Sequence, residues 1–155
     1  MNPQELSHTL RKEIISQGRS VKILASGYSM FPFLRRGDLL TVEPVSMDKI
    51  KPGDVVVFES EEKWIAHRVI KIRSSIEGIE FLLRGDTCIA FDPLVNEGNY
   101  IGFIQVCTRK NSVKNITSEG YFLWKKIIVI LGVLYNLPLY FTRVCGSPIL
   151  SLFRR

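Results

Sequence analysis

The sequence predicts a mostly β fold: an antiparallel sheet, with a short helix before it and a hydrophobic helical tail after it. Three observations predict it. Short apolar, β-branched runs recur between residues 21 and 107, separated by Gly-Asp turns. The three turns Arg36-Gly37-Asp38, Pro52-Gly53-Asp54 and Arg84-Gly85-Asp86 punctuate these runs. The apolar spacing changes to a helical one only at the two ends of the chain.

Taken in order, residues 1–18 form an N-terminal helical segment. Leu6, Leu10, Ile14 and Ile15 fall on one helical face, and Gly18 stops the helix. The polar start Met1–Glu5 reads as carrying no targeting or membrane segment. Residues 19–108 form the β-rich domain. Its expected strands are Val21–Ala25, Leu39–Val42, Val55–Phe58, Trp64–Ile72, Ile79–Leu83 and Tyr100–Cys107. Residues 109–120 read as a polar linker. Residues 121–155 read as a basic, apolar tail.

Charge separates the same two regions. Residues 1–108 hold 13 Lys/Arg against 14 Asp/Glu, whereas residues 109–155 hold 8 Lys/Arg against Glu119 alone. A nucleic-acid binder would spread its positive charge over the folded domain, so that class is disfavoured. Basic residues interleaved with Ile, Leu, Trp and Tyr suit an anionic membrane surface. The uncharged stretch Ile127–Phe141 has 15 residues and includes Pro138. A spanning helix needs roughly 20. An interfacial or re-entrant segment is therefore favoured over a true span or over helices packed on the β domain. The expected location is membrane-associated through this tail and otherwise cytoplasmic, with the side of the membrane open.

Cys88, Cys107 and Cys145 are odd in number and make no CxxC pair. They read as ordinary thiols, without a disulfide framework or a zinc site.

Three places could carry chemistry. Gly27-Tyr28-Ser29-Met30-Phe31-Pro32 presents a serine after a residue tolerant of sharp turns. Alone, Ser29 reads more readily as a turn serine than as a nucleophile. His67, in Ile65-Ala66-His67-Arg68-Val69-Ile70, has a side chain suited to general-base work. Alone, it reads more readily as a satisfied core or edge histidine than as a base. His8, on the N-terminal helix between Ser7 and Thr9, reads as a polar surface residue. Asp86 and Asp92 flank a short loop, and either carboxylate could hold the far N–H of an imidazole. Both could also be turn residues.

The order of these motifs resembles a family. Ser26–Pro32, Gly37-Asp38, Pro52–Phe58, His67-Arg68-Val69-Ile70 and Gly85-Asp86 followed by Asp92 look like the signal peptidase I and LexA-like superfamily of serine peptidases. The resemblance spans residues 20–106. Most bacterial members pair the serine with a lysine; here that position is His67, while Lys63 and Lys71 fall outside the motif. The chain is thus similar to the endoplasmic-reticulum and archaeal branch, which uses Ser-His with a supporting Asp. The resemblance implies Ser29 as nucleophile, His67 as base and Asp92 as orienting acid. It leaves Asp86 as a second supporting acid or a turn residue. It implies a leader or signal peptide, bound as an extended strand, as substrate, and no cofactor or metal. Gly27 stands where many signal peptidases have a serine, so the oxyanion donors would be the Ser29 N–H and one unassigned group. The usual N-terminal membrane anchor is not seen. Two other readings remain: a LexA-type self-cleaving regulator, disfavoured by the missing lysine and DNA-binding domain, and a silent β module that recruits a partner to the membrane.

Overall fold

A computed structural model describes residues 3–76, 78–110 and 112–116 of the chain. The 121–155 tail, Cys145 included, lies outside the described residues. Among the described residues, no helix is long and apolar enough to cross a membrane.

One helix, α1 (Pro3–Ser16), precedes a seven-stranded antiparallel sheet. Ile14 and Ile15 of α1 pack onto the sheet's core, and Gly18, at φ +74°, ends the segment. The strands are β1 (Val21–Leu24), β2 (Leu39–Glu43), β3 (Val55–Ser60), β4 (Lys63–Ser75), β5 (Gly78–Arg84), β6 (Tyr100–Arg109) and β7 (Ser112–Asn115). Their spatial order is β1-β2-β6-β3-β4-β5, with β7 also on β6. The six expected strands all form. β4 is longer than its apolar run, because its outer half needs only a partner and no core.

The sheet buries both faces. Val42, Val55, Val57 and Ile104 belong to one core, which also takes Met30 and Leu34. Val56, Phe58, Val69, Phe81 and Leu83 belong to the other. Central β3 therefore reads Val-Val-Val-Phe without alternation, as a strand covered on both faces must.

β4 changes partners along its length. Lys63 to Arg68 pair with β3, and Arg68 to Ser75 pair with β5. A register shift between Val69 and Lys71 leaves Ile70 as an extra residue, which lets the strand bend from one partner to the other.

One expectation needs correcting. Ser112–Asn115, expected within the 109–120 linker, forms β7 and pairs with Val106 to Arg109. Its residues are all exposed and only Val113 is apolar, so no apolar period marks it. It forms because β3 covers β6 only as far as Phe103, leaving the distal half of β6 open to a hairpin. Lys110, at φ +43°, makes the tight turn.

Two of the Gly-Asp turns share one device. In Arg35–Asp38 the Arg35 N–H donates to Asp38 Oδ2 at 2.8 Å. In Lys51–Asp54 the Lys51 N–H donates to Asp54 Oδ2 at 2.9 Å. Gly37 and Gly53 take the positive φ of +87° and +101° that each turn requires.

Candidate active site

The site is assembled from three segments that the sheet brings together. The first is the loop after β1, which ends in Ser29. The second is β4, which holds His67. The third is the loop after β5, which holds Asp92. Ser29 Oγ lies 2.9 Å from His67 Nε2. His67 Nδ1 lies 2.6 Å from Asp92 Oδ2. An ionised carboxylate only accepts hydrogen bonds, so Nδ1 bears the ring proton and Nε2 presents its lone pair to the Ser29 hydroxyl. His67 is 7% exposed, enough to shield the chain of hydrogen bonds from bulk water while leaving Ser29 half-buried at the surface.

The register explains why His67 points there. It pairs with Val56 of β3 and shares that face with Val56, Phe58 and Val69. Its ring tilts against Phe58 at a centroid distance of 6.0 Å. Arg68, the next residue, pairs with Val55 and projects from the opposite face.

Asp86 belongs to Arg68 rather than to His67. Arg68 Nε and Nη2 donate to the two Asp86 oxygens at 2.8 and 2.6 Å. Arg68 Nη1 donates to the Gly53 carbonyl at 2.8 Å, and its guanidinium lies 4.6 Å from the centre of the Phe33 ring. Both partners are buried, with side-chain exposures of 1% and 5%. The two acids expected to compete for one histidine are thus divided between adjacent residues of β4.

Arg68 was not singled out by its sequence. An arginine within a strand-like run looks like a surface cation until its partners are known. A further tie was equally unmarked. The Thr87 N–H donates to the Ser29 carbonyl at 2.9 Å, and Thr87 Oγ1 donates to the same oxygen at 3.1 Å. The acid loop therefore grips the backbone of Ser29 directly. Gly85 permits this contact. A Cβ there would lie 2.9 Å from the Ser29 carbonyl, 3.0 Å from His67 Nε2 and 2.7 Å from Cys88 Sγ.

The loop after Ser29 is anchored from a second side. Arg109 Nε and Nη2 donate to the two Asp38 oxygens at 2.7 and 2.5 Å, and Nη2 also reaches the Phe33 carbonyl at 3.2 Å. The Arg109 hydrogen bonds hold Asp38 down to a pKa of about 2, against burial that acts in the opposite direction. Burial, and then the Asp38 charge, push the Cys107 thiol up to about 11, so it stays protonated and inert. Cys88 is half-buried in the acid loop, and both thiols are free.

Beside Ser29 opens a cleft of about 210 Å³. Ile23, Ala25, Gly27, Met30, Leu34 and Ala66 line it. It lies between two strand edges. β1 is the outermost strand on its side of the sheet. On β4, pairing with β5 begins only at Arg68, so Ile65, Ala66 and His67 have no strand neighbour on that side among the described residues.

No family model matches the chain. Among curated proteins, it is 42% identical over 69 residues to the signal peptidase complex catalytic subunit SEC11C of Homo sapiens, and equally so to those of Mus musculus and Canis lupus familiaris. The match covers 43% of this chain and 35% of each relative, so the chain spans about a third of the length of the proteins it matches. Over that stretch the chain is similar to the catalytic subunit of a signal peptidase.

Proposed function

We propose that the chain is a serine endopeptidase that cleaves a leader or signal peptide at a membrane surface, with Ser29 as nucleophile, His67 as general base and Asp92 as orienting acid. One observation carries this reading. The hydroxyl, both imidazole nitrogens and a carboxylate form a single hydrogen-bonded line, at 2.9 and 2.6 Å, beside an apolar cleft.

In the proposed reaction, Ser29 Oγ attacks the scissile carbonyl carbon while its proton passes to His67 Nε2. Asp92 holds the resulting imidazolium. The carbonyl oxygen takes up negative charge, for which the Ser29 N–H would be one donor. Collapse breaks the C–N bond, and His67 returns the proton to the leaving amine. Water then attacks the acyl-serine, gives one proton to His67 and releases the carboxylate product. The proton returns to Ser29 Oγ. No metal or redox cofactor enters these steps.

The cleft supports an extended peptide as substrate. A strand laid between β1 and the Ile65–His67 edge would find backbone partners at either side. Its alternate side chains would enter the pocket floored by Met30 and Leu34. The expected preference is for small side chains just before the cut.

The test is direct. The full chain is incubated with leader peptides and compared with Ser29→Ala and His67→Ala. The intact chain should cleave, and each variant should lose roughly 10⁴–10⁶-fold in kcat. Equal cleavage by all three chains would refute the assignment. So would the absence of cleavage by the intact chain across a library of leader sequences.

A further inference from the structure

Two peptide units meet at the candidate nucleophile. One joins Tyr28 to Ser29 and carries the Tyr28 carbonyl and the Ser29 N–H. The other joins Ser29 to Met30 and carries the Ser29 carbonyl. Thr87, on the loop after β5, reaches both. Its Oγ1 lies 3.2 Å from the Tyr28 oxygen and 3.1 Å from the Ser29 oxygen. A hydroxyl has one proton, so Oγ1 donates to these carbonyls in turn or shares the proton between them. Each carbonyl also has a backbone donor. The Thr87 N–H reaches the Ser29 oxygen at 2.9 Å, and the Phe31 N–H reaches the Tyr28 oxygen at 3.0 Å.

The Tyr28–Ser29 bond is trans. In a planar trans unit the C=O and the N–H point in opposite directions. A donor that holds the Tyr28 oxygen on the side of the acid loop therefore turns the Ser29 N–H to the other side. That side borders the cleft. Gly27 and Ser29 both line the cleft, and a Cβ on Gly27 would lie 4.0 Å from the Ser29 nitrogen. Among the described residues, no backbone hydrogen bond uses the Ser29 N–H.

We propose that Thr87 is a positioning residue for the oxyanion site: its hydroxyl, acting through the Tyr28 carbonyl, fixes the peptide plane that aims the Ser29 N–H at the scissile oxygen. The inference rests on the peptidase reading and deepens it. Thr87 touches neither the substrate nor the reacting atoms. Its value lies in preorganisation, because a donor stabilises developing charge most when it is already aimed before the charge appears. The backbone donors from Thr87 and Phe31 survive any change of the Thr87 side chain. The share of the hydroxyl can therefore be measured by itself.

Thr87→Val keeps the branched shape and removes the hydroxyl. The full chain and this variant are compared on one leader peptide that the unsubstituted chain cleaves, and on the peptide boronate that ends at the residue before the cut. Ser29 Oγ bonds to boron, its proton passes to His67, and a boron hydroxyl takes the place of the oxyanion. Thr87→Val should lower kcat by about ten-fold, the worth of one neutral hydrogen bond, and so by less than the ~10²–10³-fold of losing a donor outright. KM should stay within about two-fold, since the interaction serves the transition state. Boronate affinity should fall by the same factor as kcat. Thr87→Ser should return most of the rate. The acid limb of the pH profile of kcat/KM should not move, because His67 and Asp92 are untouched. Thr87 is exposed, so the melting temperature should change little. Thr87→Ala gives the same test without the added bulk if valine crowds the loop. The proposal fails, and the peptidase reading stands, if both hydroxyl-free variants cleave at the parental rate. It fails also if kcat falls while boronate affinity holds, if the acid limb shifts, or if Thr87→Ser is no better than Thr87→Val. If the unsubstituted chain cleaves no leader peptide, the peptidase reading itself falls and takes this inference with it.

Discussion

Gly85→Ala tests the assembly of the site with a single methyl group. Gly85 does not adopt a positive φ, so alanine meets no backbone penalty there. The obstacle is space. The added carbon would sit 2.7 Å from Cys88 Sγ, 2.9 Å from the Ser29 carbonyl and 3.0 Å from His67 Nε2. Non-bonded carbon contacts are comfortable at about 3.5–4.0 Å, so each neighbour must retreat by roughly 0.5–1 Å. Two of the three neighbours belong to the candidate nucleophile and base, now 2.9 Å apart. A misplacement of about 1 Å at a reacting pair is worth about 10²-fold in rate. Gly85→Ala should therefore lower kcat against a leader peptide by about 10²-fold. Overpacking should also destabilise the fold by roughly 1–3 kcal/mol, read as a lower melting temperature. Adding Cys88→Ala removes the nearest obstruction but leaves the other two, so it should recover stability more than rate. A Gly85→Ala chain that cleaves at the parental rate would show that the loop yields without disturbing Ser29 and His67. The proposed coupling through the acid loop would then be wrong.

The division of the two acids gives a paired expectation. Asp92→Asn should lower kcat by about 10³–10⁴-fold with little change in melting temperature, since the amide keeps the shape and loses the charge that fixes the imidazole. Asp86→Asn should act the other way, because it removes the carboxylate that pairs bidentately with the buried Arg68 guanidinium. Breaking such a pair costs about 3–5 kcal/mol, a large part of the ~5–15 kcal/mol that holds a domain together. If thermal melts and peptide kinetics give the reverse pattern, the assignment of Asp86 to Arg68 is refuted. Asp38 supplies the pH expectation. Its pKa falls from 3.8 to about 2 in the folded chain, so its stabilisation is complete above pH 4 and is lost as the pH falls towards 2. With water reaching the partly exposed Arg109, the effect is about 1–2 kcal/mol. Urea melts of Asp38→Asn against the parent should differ at neutral pH and converge near pH 2.

The strands were legible because their residues announce them. Val55–Phe58 is uninterrupted since β3 is covered on both faces, and the Gly-Asp turns mark where strands end. β7 was not legible, because a short exposed strand with Val113 as its one apolar residue has the composition of a linker. The insertion of β6 between β2 and β3 was hidden too, since long-range pairing leaves no local pattern. At the site, Ser29, His67, Asp92 and Asp86 could be picked out by residue type and order. Residue type and spacing alone did not divide the two acids; only the family resemblance favoured Asp92 and left Asp86 as a second acid or a turn residue. Asp86 and Asp92 are six positions apart on one loop, and either could face an imidazole. Only the direction in which Arg68 leaves β4 decides between them.

That direction depends on a register, and the register is fixed from both sides. A slip of β4 by one residue would exchange the faces of His67 and Arg68. His67 would then leave Ser29 and Asp92, and a guanidinium would enter the face occupied by Val56 and Phe58. The same slip would pull Val69, which is fully buried, out of its core. It would also break the backbone bonds Gly53 N–H to Val69 O and Val69 N–H to Asp54 O, both 2.8 Å. Apolar burial and the Gly53-Asp54 turn thus set the register independently of any catalytic need. The surplus residue Ile70 absorbs the mismatch where β4 turns from β3 to β5. The pairing of His67 with Ser29 and Asp92 is therefore a consequence of how the core packs around β4, and substitutions that loosen Val69 should disturb the site before they unfold the sheet.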